Sequence, residues 1–175
     1  MAMLMNKPKT MIDVYRLLPE GTPIQVINNQ FYINLSPNFL HFDTLDKIVE
    51  ALKETVKDQT SGRIFFAPMD VYLGDTNAVQ PDIFFISKEH EHYIKRDGIY
   101  GAPELIVEIL SPQNKNADLV KKKGIYEQYG VQEYFIVEPS DKSVITYYLK
   151  EGKYVEQKKK TGKLSGKVLK KTFSF

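Results

Sequence analysis

The sequence predicts an α+β (mixed α/β) domain with a central mixed β-sheet flanked by helices. Short runs rich in Val, Ile, Phe and Tyr alternate with two longer stretches of helical periodicity. One strand–helix–strand stretch, residues 104–137, has the spacing of a βαβ unit and predicts two parallel strands. The chain has 175 residues, 42% apolar and 26% charged, enough for one domain with a sizeable core. We therefore expect a single domain over residues 1–175, with a core at about 24–139 and C-terminal β-strands at 141–175.

Met11 to Leu18 reads as a short helix ended by Pro19-Glu20-Gly21. Ile24–Ile27 and Phe31–Leu35 flank Asn28-Asn29-Gln30, a hairpin signal. Phe39 to Asp58 carries apolar residues at Leu45, Ile48, Val49, Leu52 and Val56, which is helical spacing. Ile64–Phe66 and Val71–Leu73 read as a second antiparallel pair. Val79 to Ser87 reads as one strand carrying Asp82, and Glu104 to Leu110 as another carrying Glu108. Lys115 to Tyr129 is a polar helix closed by Gly130, a fitting C-cap. Glu133–Val137, Val144–Leu149 and Tyr154–Gln157 complete the strands, with a turn at Gly152.

Composition narrows the function classes. No apolar run approaches the roughly 18 residues of a membrane span, and no apolar leader is visible. The chain has no cysteine, which excludes disulfides, thiolate metal sites and a cysteine nucleophile. A cytoplasmic protein without a membrane partner is expected. Residues 141–175 hold ten Lys against three acids, a net of +7, which leaves −5 for the rest of a chain whose total is +2. Such a basic end either faces phosphates or solubilises a sheet edge.

Glu108 is the most telling residue. All its neighbours in Leu105-Ile106-Val107-Glu108-Ile109-Leu110 are apolar. A carboxylate in a strand covered on both faces must be paired, protonated or bound to a cation. Asp82, after Pro81, opens the apolar run Ile83–Ile86. If the two strands are neighbours, Asp82 and Glu108 can share one Mg²⁺ or Mn²⁺ ion. The alternative is a buried salt bridge at Glu108 and a turn-capping role for Asp82. Asp118, Lys122 and Tyr126 lie at i, i+4 and i+8, one helical stripe, and the βαβ connection brings Lys122 toward the same place. A lysine there would act on a water or on developing negative charge. His90-Glu91-His92 reads as a solvated connector; His41 opens the long helix and could approach a phosphate, though a surface or capping role fits it better. Gly-rich phosphate loops, G-x-S-x-G and zinc signatures are absent. Two carboxylates also serve glycoside hydrolysis, but a chain with eleven Tyr and no Trp gives no sign of a sugar cleft.

Taken in order, Gln80-Pro81-Asp82-Ile83, Ala102 to Pro112, Asp118-x-x-x-Lys122-x-x-x-Tyr126 and Gly130 to Val137 resemble the Uma-two family. That group is classed with restriction endonucleases, in the PD-(D/E)XK nuclease superfamily. The resemblance spans roughly Ile24 to Pro139, and Ser36-Pro37 and His41 fit it as well. It implies a restriction-endonuclease-like fold and metal-dependent hydrolysis of DNA phosphodiester bonds. Asp82, Glu108 and Lys122 would form the site, with Asp82 and Glu108 on Mg²⁺ or Mn²⁺ and a backbone carbonyl near Ile109 as a further ligand. Asp118 and Tyr126 would support them. The superfamily lysine two positions after the glutamate is Leu110 here, so Lys122 takes its place. In the first hairpin, amides at Gln25, Asn28 and Gln30 stand where the family carries acids. An inactive nuclease-fold binding module for DNA or a protein is therefore the alternative expectation. Nucleases that cut both strands often act as dimers, which leaves a homodimer open.

Overall fold

The computed structural model describes residues 8–34, 36–56, 61–111 and 117–175, without the side chains of 117–119. Helix α1 (Met11–Tyr15) opens on a capping box, in which Thr10 accepts from the Asp13 N–H and Asp13 accepts from the Thr10 N–H. It is shorter than the expected Met11–Leu18. Strands β1 (Ile24–Ile27) and β2 (Gln30–Ile33) pair antiparallel through a two-residue turn. Asn28 and Asn29 both adopt positive φ, 49° and 58°, which matches the twist such a hairpin needs. Leu35, expected to end the second strand, lies outside the described residues. Helix α2 (Phe39–Lys53) follows. It ends at Lys53 with Glu54 as its C-cap, short of the expected Asp58, and residues 57–60 lie outside the described set.

Next come β3 (Gly62–Phe66), β4 (Val71–Leu73), β5 (Asn77–Val79), β6 (Ile83–Ser87), β7 (Ile94–Lys95), β8 (Gly98–Tyr100) and β9 (Leu105–Ile109). A π-helical turn at Ala117–Lys122 leads into α3 (Lys123–Tyr129), which Gly130 caps at φ 85°. The chain ends with β10 (Glu133–Glu138), β11 (Ser143–Lys150), β12 (Lys153–Glu156), β13 (Lys160–Thr161), β14 (Lys163–Gly166) and β15 (Lys171–Ser174).

The mixed α+β class holds, and the strands divide between two mixed sheets and a separate two-stranded ribbon, β14–β15, rather than forming one sheet. The first runs β2-β1-β5-β4-β8-β7, and the second β12-β11-β10-β9-β6-β3 with β13 beside β11. Two expectations are corrected by this division. β3 and β4 are not a hairpin: β3 pairs with β6 in the second sheet and β4 with β5 and β8 in the first. The stretch 79–87 is not one strand: β5 belongs to the first sheet and β6 to the second, with Gln80-Pro81-Asp82 between them. Both crossings contain a proline, Pro68 and Pro81, which has no N–H to offer a ladder. The expected parallel pair is present, β9 beside β10 with Leu105 facing Glu133 and Ile109 facing Val137.

The second sheet separates two cores. On one face Phe84, Ile106, Tyr134 and Ile136 pack with Ile125 and Tyr126 of α3 and with Ile27, Val71 and Ile99 of the first sheet. On the other, Ile83, Phe85, Val107 and Phe135 pack under Ile48 and Leu52 of α2 and under Leu164 and Phe173 of the β14–β15 ribbon. Alternate β9 side chains feed the two cores, as the pleat requires. Glu133 anchors the ribbon: its Oε1 accepts the backbone N–H groups of Lys167 and Val168. Burial pushes the Glu133 carboxyl above its ordinary value of 4.5, against the downward pull of those two N–H groups.

Two predictions come from these positions. Gly62 has φ 145°, and a Cβ there would lie 2.2 Å from the Ile86 carbonyl oxygen. Gly62→Ala should cost about 2–4 kcal/mol in chemical denaturation, mostly by disrupting β3–β6. For Glu133, a raised folded value means the neutral form suits the fold. Stability linked to it is fully present below 4.5 and is lost as pH rises through the folded value. Urea titrations of Glu133→Gln against the parent should therefore show the variant gaining relative stability from pH 4 to pH 7.

Candidate functional site

β9 turns Ile106, Glu108 and Leu110 toward α3, and only Glu108 brings charge to that core. It is 1% exposed. The chain answers from the helix that follows. Lys122 Nζ donates to Glu108 Oε1 at 3.0 Å, and the Tyr126 hydroxyl donates to the same oxygen at 2.7 Å. Lys122 is 4% exposed and Tyr126 is fully buried. The two donors sit one helical turn apart, at the junction of the π-helical turn with α3, so one helix face delivers both. Two donors on one oxygen fix the rotation of the carboxylate. Desolvating an ammonium and a carboxylate is costly, and this geometry offsets the cost through a close charge pair and a further hydrogen bond. Asp118 lies in the same π-helical segment, with its side chain outside the described residues.

Asp82 sits on the adjacent strand end. The β6–β9 register faces Ile83 with Val107, so one residue further Asp82 lies opposite Glu108. Its Oδ2 accepts the Ile109 N–H at 2.7 Å and lies 3.2 Å from His41 Nε2. Its backbone carbonyl accepts the Ala67 N–H at 3.0 Å. Oδ1 makes no hydrogen bond among the described residues, and the side chain is 17% exposed. One oxygen is thus held by the chain and the other is not. An oxygen-only set built on Asp82 and Glu108 suits a hard divalent cation, which takes one or two carboxylates and completes its shell with water and phosphate. Among the described residues no trio of His, Cys, Asp and Glu forms a fuller metal cluster.

His41 departs from its expected surface or capping role. It is 7% exposed and bonded to Asp82. The signal was in the sequence: His41 precedes Leu45, Ile48 and Leu52 at the same helical spacing, so it lies on the buried stripe of α2. His90 is corrected too. It is no solvated connector, because its Nδ1 stands 2.6 Å from Oε1 of buried Glu104, whose Oε2 accepts the Ser87 N–H. This pair closes the opposite end of β6 and β9 from Asp82 and Glu108. His92 is exposed, as expected.

The hairpin amides have structural partners. Gln25 Nε2 donates to Asn34 Oδ1, Asn34 Nδ2 donates to Gln80 Oε1, and the Gln80 N–H donates to Gln25 Oε1. This chain braces the segment that leads into Asp82. Asn28 takes the Asn77 amide oxygen on its N–H, and Asn29 Oδ1 accepts the Met11 N–H.

Comparison with known proteins bears on this geometry. The Uma2 family model, described as "Putative restriction endonuclease", matches residues 12–173. The chain belongs to that family. The match spans His41, Asp82, Glu108, Lys122 and Tyr126. A crystal structure of a "putative nuclease" from Anabaena variabilis superposes with a TM-score of 0.71 at 22% identity, covering 85% of this chain and 84% of that one. At that identity the likeness shows a shared fold. No curated protein matches the chain at a significant level.

The Glu108 cluster generates a stability test. Lys122→Met leaves the carboxylate buried without its ammonium and should cost about 3–5 kcal/mol. Adding Glu108→Gln to Lys122→Met should recover a good part of that loss. A double-mutant cycle by urea denaturation measures it, and strict additivity would show that the two groups do not interact.

Proposed function

We propose that this protein is a metal-dependent endonuclease that hydrolyses DNA phosphodiester bonds. The observation that carries the proposal is the juxtaposition of Glu108, held by Lys122 and Tyr126, with Asp82, which leaves one oxygen open at the adjoining strand end. Membership of a restriction endonuclease family supports nuclease chemistry, and restriction-endonuclease-like families generally use divalent metal ions.

Asp82 and Glu108 would hold the ion, Mg²⁺ or Mn²⁺. When bound, it polarises the scissile phosphate and lowers the cost of generating hydroxide. The chain's own residues prepare for this. The Ile109 N–H and His41 fix Asp82 Oδ2, so the carboxylate meets its ligand without rotational loss. Tyr126 and Lys122 do the same for Glu108. Lys122 is an ammonium placed there, and we assign it the charge that develops on the phosphate oxygens or the orientation of the attacking water. Its buried position strengthens either effect, because little solvent screens it.

An inactive binding module remains the second reading, since amides replace acids at Gln25, Asn28 and Gln30. Gln25 braces Gln80, Gln30 Oε1 accepts from the Tyr32 hydroxyl, and Asn28 is placed by its backbone N–H, all of which support a hairpin-shaping role rather than a ligand position. Calorimetric titration separates the two readings, and no heat of binding at millimolar Mg²⁺ or Mn²⁺ would favour the module. For the enzyme, Asp82→Asn and Glu108→Gln should each lower Mg²⁺-dependent plasmid cleavage by at least ~10²-fold. Circular dichroism should show both variants folded. If both cut as fast as the parent, the site is elsewhere.

A further inference from the structure

The last 19 residues, Gln157 to Phe175, contain seven lysines and no acid. Lys158, Lys159, Lys160, Lys163, Lys167, Lys170 and Lys171 are all exposed. None of them forms an ion pair with a carboxylate among the described residues. A segment that merely solubilised a sheet edge would need no defined shape, but this one has a rigid form. Leu164 and Phe173 plug the ribbon β14–β15 into the core beneath α2, and Glu133 holds its turn by the Lys167 and Val168 N–H groups.

Because strand side chains alternate, the face opposite Leu164 and Phe173 carries Lys163, Ser165, Thr172 and Ser174. Lys160 reaches across from β13 to donate to Ser165 Oγ at 2.6 Å, and Ser165 Oγ lies 3.0 Å from Thr172 Oγ1. Among the described residues this face presents ammonium and hydroxyl groups, the donors that contact nucleic-acid phosphates, with Glu50 of α2 and its C-cap Glu54 beside it only at Ser174. A two-stranded ribbon also has the width that the DNA major groove admits.

The basic run reaches the site's end of the sheet at β13, whereas the Lys167 turn of the ribbon is held at the Glu133 end. Ile109 faces Val137, Val137 faces Val144, and Val144 faces Lys160. Three inter-strand spacings of about 4.8 Å put Lys160 roughly 14 Å from Ile109, in the row next to Glu108.

We propose that the outer face of β13–β15 is a docking surface for the phosphate backbone of duplex DNA, holding the substrate while a neighbouring phosphate enters the Asp82–Glu108 site. The proposal rests on the nuclease reading for its choice of polyanion. Its test does not depend on cleavage, because binding of a short fluorescein-labelled duplex is followed by anisotropy with a chelator present. Changing Lys160→Gln, Lys163→Gln and Lys167→Gln together should weaken binding roughly tenfold or more at 0.1 M salt. The same change should flatten the slope of log K against log[salt] by about 2–3, while Lys9→Gln, Lys88→Gln and Lys95→Gln together shift affinity by no more than about twofold. Unchanged affinity and slope in the first triple, or equal losses in both triples, would overturn the proposal. So would binding of the parent to vesicles of phosphatidylcholine and phosphatidylglycerol in equal parts with no binding of the duplex. A protein that binds as described yet never cuts leaves the docking surface standing and rejects the enzyme.

Discussion

The pairing of Glu108 with Lys122 is 1% and 4% exposed, and much of the surrounding structure exists to make that tolerable. An isolated charge at this depth would cost several kcal/mol. The chain therefore supplies a cation, a hydroxyl and a wall of aromatic and branched side chains within one βαβ unit. Tyr126, which donates to Glu108, meets Tyr134 of the next strand edge-to-face at 5.1 Å between centroids. One residue thus joins the polar site to the apolar core. A buried ion pair adds little net stability over an apolar substitute of similar shape. The pair holds a carboxylate in one orientation beside a second one.

The division of the strands between two sheets gives Asp82 its place. Had 79–87 been one straight strand, Asp82 would have been another pleated side chain in a ladder. Instead the chain leaves the first sheet at β5, passes Pro81 and joins the second at β6. Asp82 stands at the start of β6, where the Ile109 N–H and His41 take one oxygen and leave the other open. The amide chain of Gln25, Asn34 and Gln80 stiffens this crossing from behind. The first hairpin thereby acts on the site through backbone placement, although none of its side chains enters it.

Much of this was legible in the order of residues. The apolar run around Glu108, the i, i+4 spacing of Lys122 and Tyr126, and the stripe of α2 are periodic signals within short windows. They led to a buried carboxylate, a lysine reaching it and a parallel strand pair, all present in the fold. His41 was readable too, since it shares the α2 stripe, but a polar residue at the start of a helix looks like a cap until its burial is known. Glu104 and His90 gave no such signal. Their partnership joins a loop to a strand end fourteen residues away, and a charged residue in a polar stretch looks solvated.

The sequence by itself determined most of the longer strands and helices, which of their faces turn inward and which residues could carry a cation, because those depend on neighbours a few residues apart. The short strands β7 and β8 carried no such signal. Tertiary structure decided that β3 and β4 part company, that Asp82 lies opposite Glu108 and that a basic ribbon is packed with α2 on one face of the second sheet. Those outcomes depend on which strands pair. Pairing is settled by the competition of whole apolar faces for a shared core, and no local window contains that information.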